Sequence, residues 1–396
     1  MPLPEVHLIG GGRREAIRLA PVATAMRAAR LLAPVLVCGG PDPATVVRAL
    51  ATFDLAPDLT LGLERDTTDL FTETIKRFDA LWAERPPAAV IVQGDTATSI
   101  AAALAAFWRR IPVVLLEAGL RTGDLHAPFP AGANRRLLVQ LAALHMAPTP
   151  LAAMNLLDEH VVTGDVLITG NPVVDATLAL AARRLPFENA DVAAAWAGTR
   201  NRLVVVAAHR RESQGEPLEQ ILAAVRQLVE RYADIDVIIP SRTDPAVRAQ
   251  IEASLSGVDR VTITAPLSFA DLSRLLSETY LVLTDSVGIQ EQAPSFRVPA
   301  LVLREVTERV EALHAGCAKL VGADTTLIVR EASALLDSRI RRDEMTADGN
   351  PYGDGHAARR IAQATAALLG LADRPEPMPS TQGSSINQAA PITFTG

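Results

Sequence analysis

Two carboxylates sit where a chain of this type could do acid–base chemistry. Asp95 lies in Gln93-Gly94-Asp95-Thr96, and Glu117 opens the run Glu117-Ala118-Gly119-Leu120-Arg121-Thr122-Gly123-Asp124, with Asn134-Arg135-Arg136 following. Each carboxylate comes after a short apolar stretch, Ala88 to Val92 and Ile111 to Leu116, the pattern of buried parallel strands. Ligands of open α/β sheets bind at the carboxyl ends of such strands, so both carboxylates should face one crevice. The alternative is that they cap helices or pair with Arg121 and Arg135.

Other turns offer phosphate-binding hardware. Gly10-Gly11-Gly12-Arg13-Arg14-Glu15-Ala16 joins a strand to a helix, where backbone N–H groups and the helix dipole could hold an anion. It lacks the Gly-x-Gly-x-x-Gly spacing of dinucleotide-binding turns, and a plain tight turn explains it equally well. Thr284-Asp285-Ser286-Val287-Gly288-Ile289-Gln290-Glu291-Gln292 also follows a strand and opens a helix. Amides and the hydroxyl of Ser286 to Gly288 would point at a phosphate pair, with Arg309 as a bidentate charge. His209, in a His-Arg-Arg-Glu cluster at a strand's carboxyl end, would face the same cleft.

The elements that must position these residues alternate. Strand-like runs at Val6 to Ile9, Val35 to Cys38, Ala88 to Val92, Ile111 to Leu116 and Val166 to Thr169 are separated by helical patterns such as Arg14 to Leu32. The rhythm restarts at Leu203 to Ala207 and continues through Val237 to Ile239, Val261 to Thr264, Tyr280 to Thr284 and Ala300 to Leu303. With 396 residues, this predicts two doubly wound α/β domains, 1–172 and 173–355, meeting at a cleft. A final helix over 356–372 should pack back on the first domain, and the Pro-, Ser- and Gln-rich stretch 373–396 reads as disordered.

Composition narrows the function classes. The net charge is −7, with no basic stripe or interleaved aromatics, which argues against a nucleic-acid partner. Cys38 and Cys317 sit in apolar surroundings, so neither a disulfide framework nor a cysteine metal site is expected, and a reducing cytoplasm is the natural location. The amino terminus has no basic n-region and reads as a first strand. The most apolar region, Ile100 to Leu120, is broken by Trp108-Arg109-Arg110 and Pro112, so no membrane span is expected.

Several long motifs in matching order resemble the UDP-N-acetylglucosamine 2-epimerase family over roughly Val6 to Leu371. They are Gly11 to Arg18 with Ala20-Pro21-Val22, Val92 to Thr96, Glu117 to Asp124, Thr169-Gly170-Asn171-Pro172, His209 to Ser213, Leu283 to Ser286, Glu291 with Ala293-Pro294-Ser295, and Thr307-Glu308-Arg309. The resemblance implies two facing Rossmann-like domains of GT-B type, a UDP-sugar substrate, no metal or redox cofactor, and a homodimer. It implies inversion at C2 of UDP-N-acetylglucosamine, with Asp95 and Glu117 as catalytic carboxylates and His209 also in the catalytic set. Arg13, Arg18, Arg135, Arg242, Ser286, Val287, Gly288, Gln292 and Arg309 would bind substrate.

The chain departs from the family pattern within the site. The usual pair of glutamates after Pro128-Phe129-Pro130 is Ala131-Gly132, which removes one expected proton-transfer group. His126, where the family commonly has tyrosine, could replace it near neutral pH. The phosphate turn reads Ser286-Val287-Gly288 in place of Ser-Gly-Gly, and Gln292 replaces a ribose-binding glutamate. Arg242 stands for a histidine, Arg18 for a lysine, and Gly12-Arg13-Arg14-Glu15 for Thr-Arg-Pro-Glu.

Overall fold

The computed structural model describes residues 2–63, 70–122, 129–198, 201–210, 213–241 and 244–379. Seven strands build the first sheet: β1 Glu5–Gly10, β2 Ala33–Cys38, β3 Leu59–Thr60, β4 Ala89–Gln93, β5 Val113–Leu116, β6 Leu144–Ala147 and β7 Val166–Ile168. Six build the second: β8 Arg202–Ala207, β9 Ile235–Pro240, β10 Val261–Thr264, β11 Thr279–Thr284, β12 Ala300–Val302 and β13 Ala318–Leu320. Both are parallel throughout, in the orders β3-β2-β1-β4-β5-β6-β7 and β10-β9-β8-β11-β12-β13. An unbroken apolar run such as that of β4 fits because helices cover both faces of each sheet.

In each sheet the strand order reverses once in the middle, between β1 and β4 and between β8 and β11. Connections leave these strand pairs in opposite directions and open a crevice at their carboxyl ends. Gln93 of β4 lies beside Leu116 of β5, so the turns carrying Asp95 and Glu117 emerge from adjacent strands. Ala207 of β8 lies beside Thr284 of β11, which does the same for His209 and Ser286.

The chain forms two compact units. The first comprises Met1–Arg183 and Tyr352–Met378, and the second contains Arg184–Pro351. The helix Pro172–Arg183, expected at the start of the second domain, packs instead on the first helix, Arg13–Ala29. The reason is local: Val173, Val174, Ala176 and Leu180 are buried, and they form one apolar face. The helix Ala357–Leu368 also packs on Arg13–Ala29 and is capped from within unit 1, where Asp175 accepts the N–H groups of Ala357 (3.2 Å) and Ala358 (2.9 Å). Burial pushes the Asp175 carboxyl up to about 6.

Disorder from Asp373 onward is not what the structure has over 373–378. The backbone N–H of Met378 donates to the Ile168 carbonyl (2.7 Å), Arg374 donates to the Gly164 and Val166 carbonyls, and the Met378 side chain is buried. Residues 380–396 lie outside the described residues. The first helix stops at Ala29, three residues before the expected Leu32, because Arg30 takes a left-handed conformation. Among the described residues no helix is long and apolar enough to cross a membrane.

Candidate active site

In unit 1 the first turn is held by close backbone approach. A Cβ on Gly40 would meet the Gly11 carbonyl oxygen at 1.8 Å, and one on Gly11 would meet Thr98 Oγ1 at 2.6 Å, so neither position admits a side chain. Arg13 leaves this turn at the start of the first helix and is exposed. Two residues on, Glu15 is 2% exposed, with its carboxyl 2.6 Å from Thr96 Oγ1, and burial pushes its pKa up.

Asp95 sits in the turn after β4, beside Gly94, whose φ of 78° favours glycine. Thr96 then caps the helix Ala97–Trp108 by accepting the Ser99 N–H (3.2 Å). Arg135, on the helix Ala131–Leu141, donates from Nε (2.7 Å) and Nη2 (2.7 Å) to Asp95 Oδ2. From the same helix, Asn134 donates to the Asp95 carbonyl (2.7 Å). Arg135 is therefore a partner of Asp95, the alternative that the spacing left open.

Glu117 follows β5 in a left-handed conformation, φ 54°, which costs a non-glycine residue roughly 1–3 kcal/mol. Three side chains from different elements fix it there. Arg18 donates from Nε to Oε1 (2.8 Å), Asn171 donates to Oε1 (2.6 Å), and Gln93 donates to Oε2. Arg121, the other proposed partner, instead holds Glu159, with Nε to Oε1 at 2.8 Å, and lowers that carboxyl's pKa through the hydrogen bond. Arg18, expected among the substrate-binding groups, thus reaches the Glu117 carboxylate directly.

In unit 2 the centre is Asp285, which is fully buried just after β11. Its Oδ2 accepts the N–H groups of His209 (2.7 Å) and Arg210 (2.7 Å) and the Ser213 hydroxyl (2.9 Å). This fixes the turn after β8 and so the place from which the His209 ring projects; Nδ1 is 4.0 Å from Asp285 Oδ1, beyond hydrogen-bond reach. Ser286, Val287 and Gly288 are partly exposed at the start of the helix Val287–Gln292. The amide of Ser286 is already committed to Thr284 Oγ1 (2.9 Å), which leaves fewer donors than the expected run of amides.

Arg309 lies on a buried partner: its Nε donates to Glu291 Oε1 (2.7 Å), and Glu291 is 1% exposed. Gln292 is 3% exposed, and its Oε1 has no hydrogen-bond partner among the described residues. His126 and Arg242 lie outside the described residues. Gln93, Asn171, Asp285 and Glu291 stand in the motifs, yet they carry no assigned role in the sequence reading. For Gln93 and Asp285 the available signal was their position at strand ends, next to Asp95 and Ser286; Asn171 and Glu291 carried no such local signal.

The profile of the UDP-N-acetylglucosamine 2-epimerase family matches residues 22–366. The chain is 36% identical to the Escherichia coli UDP-N-acetylglucosamine 2-epimerase over 376 residues, 91% of this chain and 98% of that protein. A crystal structure of a relative from Listeria monocytogenes superposes with a TM-score of 0.88 at 36% identity, covering 95% of this chain and all of the other. That of the Neisseria meningitidis UDP-GlcNAc 2-epimerase bound to UDP-GlcNAc does so at 0.78 and 33%, covering 92% of this chain and all of the other. Strand order, strand-end carboxylates and relatives matched along nearly the whole length agree: the chain belongs to the UDP-N-acetylglucosamine 2-epimerase family of isomerases.

Proposed function

We propose that the chain interconverts UDP-N-acetylglucosamine and UDP-N-acetylmannosamine by inverting C2, with UDP eliminated and returned across a 2-acetamidoglucal. No carbonyl is attached to C2, so a carboxylate alone cannot remove that proton at a useful rate. Cleavage of the C1–O bond sends its electron pair to UDP and leaves oxocarbenium character at C1, which acidifies C2–H. Loss of that proton to a carboxylate forms the C1–C2 double bond. A proton delivered to the opposite face of C2, and return of the UDP oxygen to C1, complete the inversion.

The observation that carries this reading is Glu117, a carboxylate at a strand end fixed by Arg18, Gln93 and Asn171. Such a group can take and return a proton at one position, and Asp95, oriented by Arg135, supplies the second. Arg13, His209, Ser286, Val287, Gly288 and Arg309 are assigned to the diphosphate, and Gln292 to the ribose, where a neutral amide accepts less strongly than a carboxylate. His126 is assigned proton transfer in place of the missing glutamate, and Arg242 substrate binding. The working form is assigned as a cytoplasmic homodimer, on the family resemblance and the two buried free cysteines.

Ala131, the first residue of its helix, favours a second reading. With one proton donor fewer, elimination without faithful return would release UDP and the glycal, or, where water adds its hydroxyl at C1 and a proton reaches C2, UDP and free N-acetylmannosamine. Incubation with UDP-N-acetylglucosamine in deuterium oxide, followed by proton NMR at C2 and assay of free UDP, tests both. Deuterium at C2 in UDP-N-acetylmannosamine is the expected outcome, and free UDP with free sugar selects the second reading. Binding of UDP without exchange or release would overturn both.

A further inference from the structure

Glu117 is not held by its side chain alone. The turn that carries it bends twice through left-handed backbone, with φ 54° at Glu117 and 86° at Gly119. A non-glycine residue stays in that conformation only where its surroundings over-determine it. Arg18, Gln93 and Asn171 fix the carboxylate, but the turn needs supports of its own. One is the sheet, since the Ala118 N–H donates to the Met146 carbonyl in β6 (3.1 Å).

Beyond Ala118 the grip comes from one side of the helix Pro150–Asp158 and from Glu159, which caps it. Ala152, Asn155 and Glu159 follow at i, i+3 and i+7, which sets them in a row. Gly119 lies against the first, where a Cβ would meet the Ala152 carbonyl oxygen at 2.0 Å. Asn155 Nδ2 donates to the Gly119 carbonyl (2.9 Å). Glu159 takes the Arg121 fork, Nε to Oε1 at 2.8 Å and Nη2 to Oε2 at 2.5 Å. Nη1 of the same guanidinium donates back to the Leu120 carbonyl (2.8 Å). The carbonyls of Gly119 and Leu120 are therefore fixed from this helix, one directly and one through Arg121. Neither polar residue serves the helix itself: asparagine is a poor helix former, and a carboxylate at a helix C-terminus opposes the dipole. The row is anchored, because Ala152, Ala153 and Leu156 are buried in the same core cluster as Ala118.

We propose that Asn155 and Glu159 are positioning residues: from one helix they clamp residues 119–121 and so keep Glu117 in the left-handed conformation from which its carboxylate reaches Arg18, Gln93 and Asn171. Both act through Glu117. The kinetic part of this inference rests on the epimerase reaction proposed above and on the role of Glu117 in it.

Asn155→Asp is the sharpest variant, because an ionised carboxylate of the same size cannot donate to the Gly119 carbonyl. Hydrogen–deuterium exchange tests the clamp without substrate. The amides of residues 118–121 should exchange at least about tenfold faster in Asn155→Asp and in Glu159→Ala than in wild type, with those of β1 and β4 unchanged. In turnover assays both variants should lose about 10- to 10²-fold in kcat at nearly unchanged KM, as for a displaced catalytic group. Met154→Ala, on the exposed side of the same helix, should change neither readout. Glu159→Ala, at a partly exposed site, keeps the test decisive if Asn155→Asp fails to fold. Wild-type exchange over 118–121 in the folded variants, wild-type kcat despite faster exchange, or equal effects from Met154→Ala would overturn the proposal. If wild type fails to turn over UDP-N-acetylglucosamine, the proposed reaction fails and exchange alone decides the clamp.

Discussion

A carboxylate proposed to take and return a proton needs a fixed direction, and three donors on separate segments give Glu117 one. Replacing Glu117 by Gln, or Asp95 by Asn, should lower kcat by about 10²- to 10⁴-fold while the fold persists, measured by turnover and circular dichroism. Asn171→Ala removes one donor and leaves the carboxylate, so its kcat should fall about tenfold with little change in KM. Arg309→Ala should do more than weaken the UDP binding proposed for it, because it removes an ion-pair partner of a buried Glu291. A loss of roughly 3 kcal/mol in urea unfolding is expected, which a purely ligand-contacting arginine would not cause. The places of Asp95 and Glu117 were legible because a carboxylate after a buried strand is a local pattern. Those of Asn171 and Glu15 were not: Asn171 is 54 residues from Glu117, Glu15 is 81 from Thr96, and only the folded sheet makes them neighbours.

Among elements, the helix Ala357–Leu368 depends on a cap that its own sequence does not provide, since Asp175 reaches it from the helix Pro172–Arg183. Burial raises the Asp175 carboxyl to about 6, so the unfolded chain ionises at lower pH than the folded one. Its contribution to stability is therefore present in acid and lost as pH rises through about 6, up to about 3 kcal/mol. Asp175→Asn removes this dependence, so relative to wild type its stability should improve between pH 4 and pH 7, read from urea midpoints at each pH. The strands legible in sequence were the β-branched runs, such as Leu203 to Ala207. β3 is two residues long, β6 reads Leu-His-Met-Ala with no β-branched residue, and β13 has three residues with a central lysine, so pairing with neighbours decides all three.

At the scale of the whole molecule the return of the last helix to the first unit was expected, whereas the helix Pro172–Arg183 was placed in the wrong unit, because the repeat of strand and helix marks where a second sheet begins and not which sheet a connecting helix covers. Unit 1 is discontinuous, with Tyr352–Met378 completing it after unit 2. A chain stopped after Pro351 should lose the cover of the first helix, where Ala20, Ala23 and Met26 are buried, together with Ile361 and Ala362 of the missing helix. Limited proteolysis of that chain should cut residues within 1–183 readily and spare the fragment Arg184–Pro351; equal resistance of both would contradict the division.

That discontinuity also sets an order for biosynthesis. Residues Tyr352–Met378 leave the ribosome only after all of Arg184–Pro351 has been made, so the amino-terminal unit is translated first and finished last. At about 5–20 residues per second the wait is roughly ten seconds or longer, during which the first helix has a bare apolar face. Nascent chains in that interval are the form most exposed to chaperones and to aggregation, and slowing translation across unit 2 would lengthen that exposure without altering the finished protein.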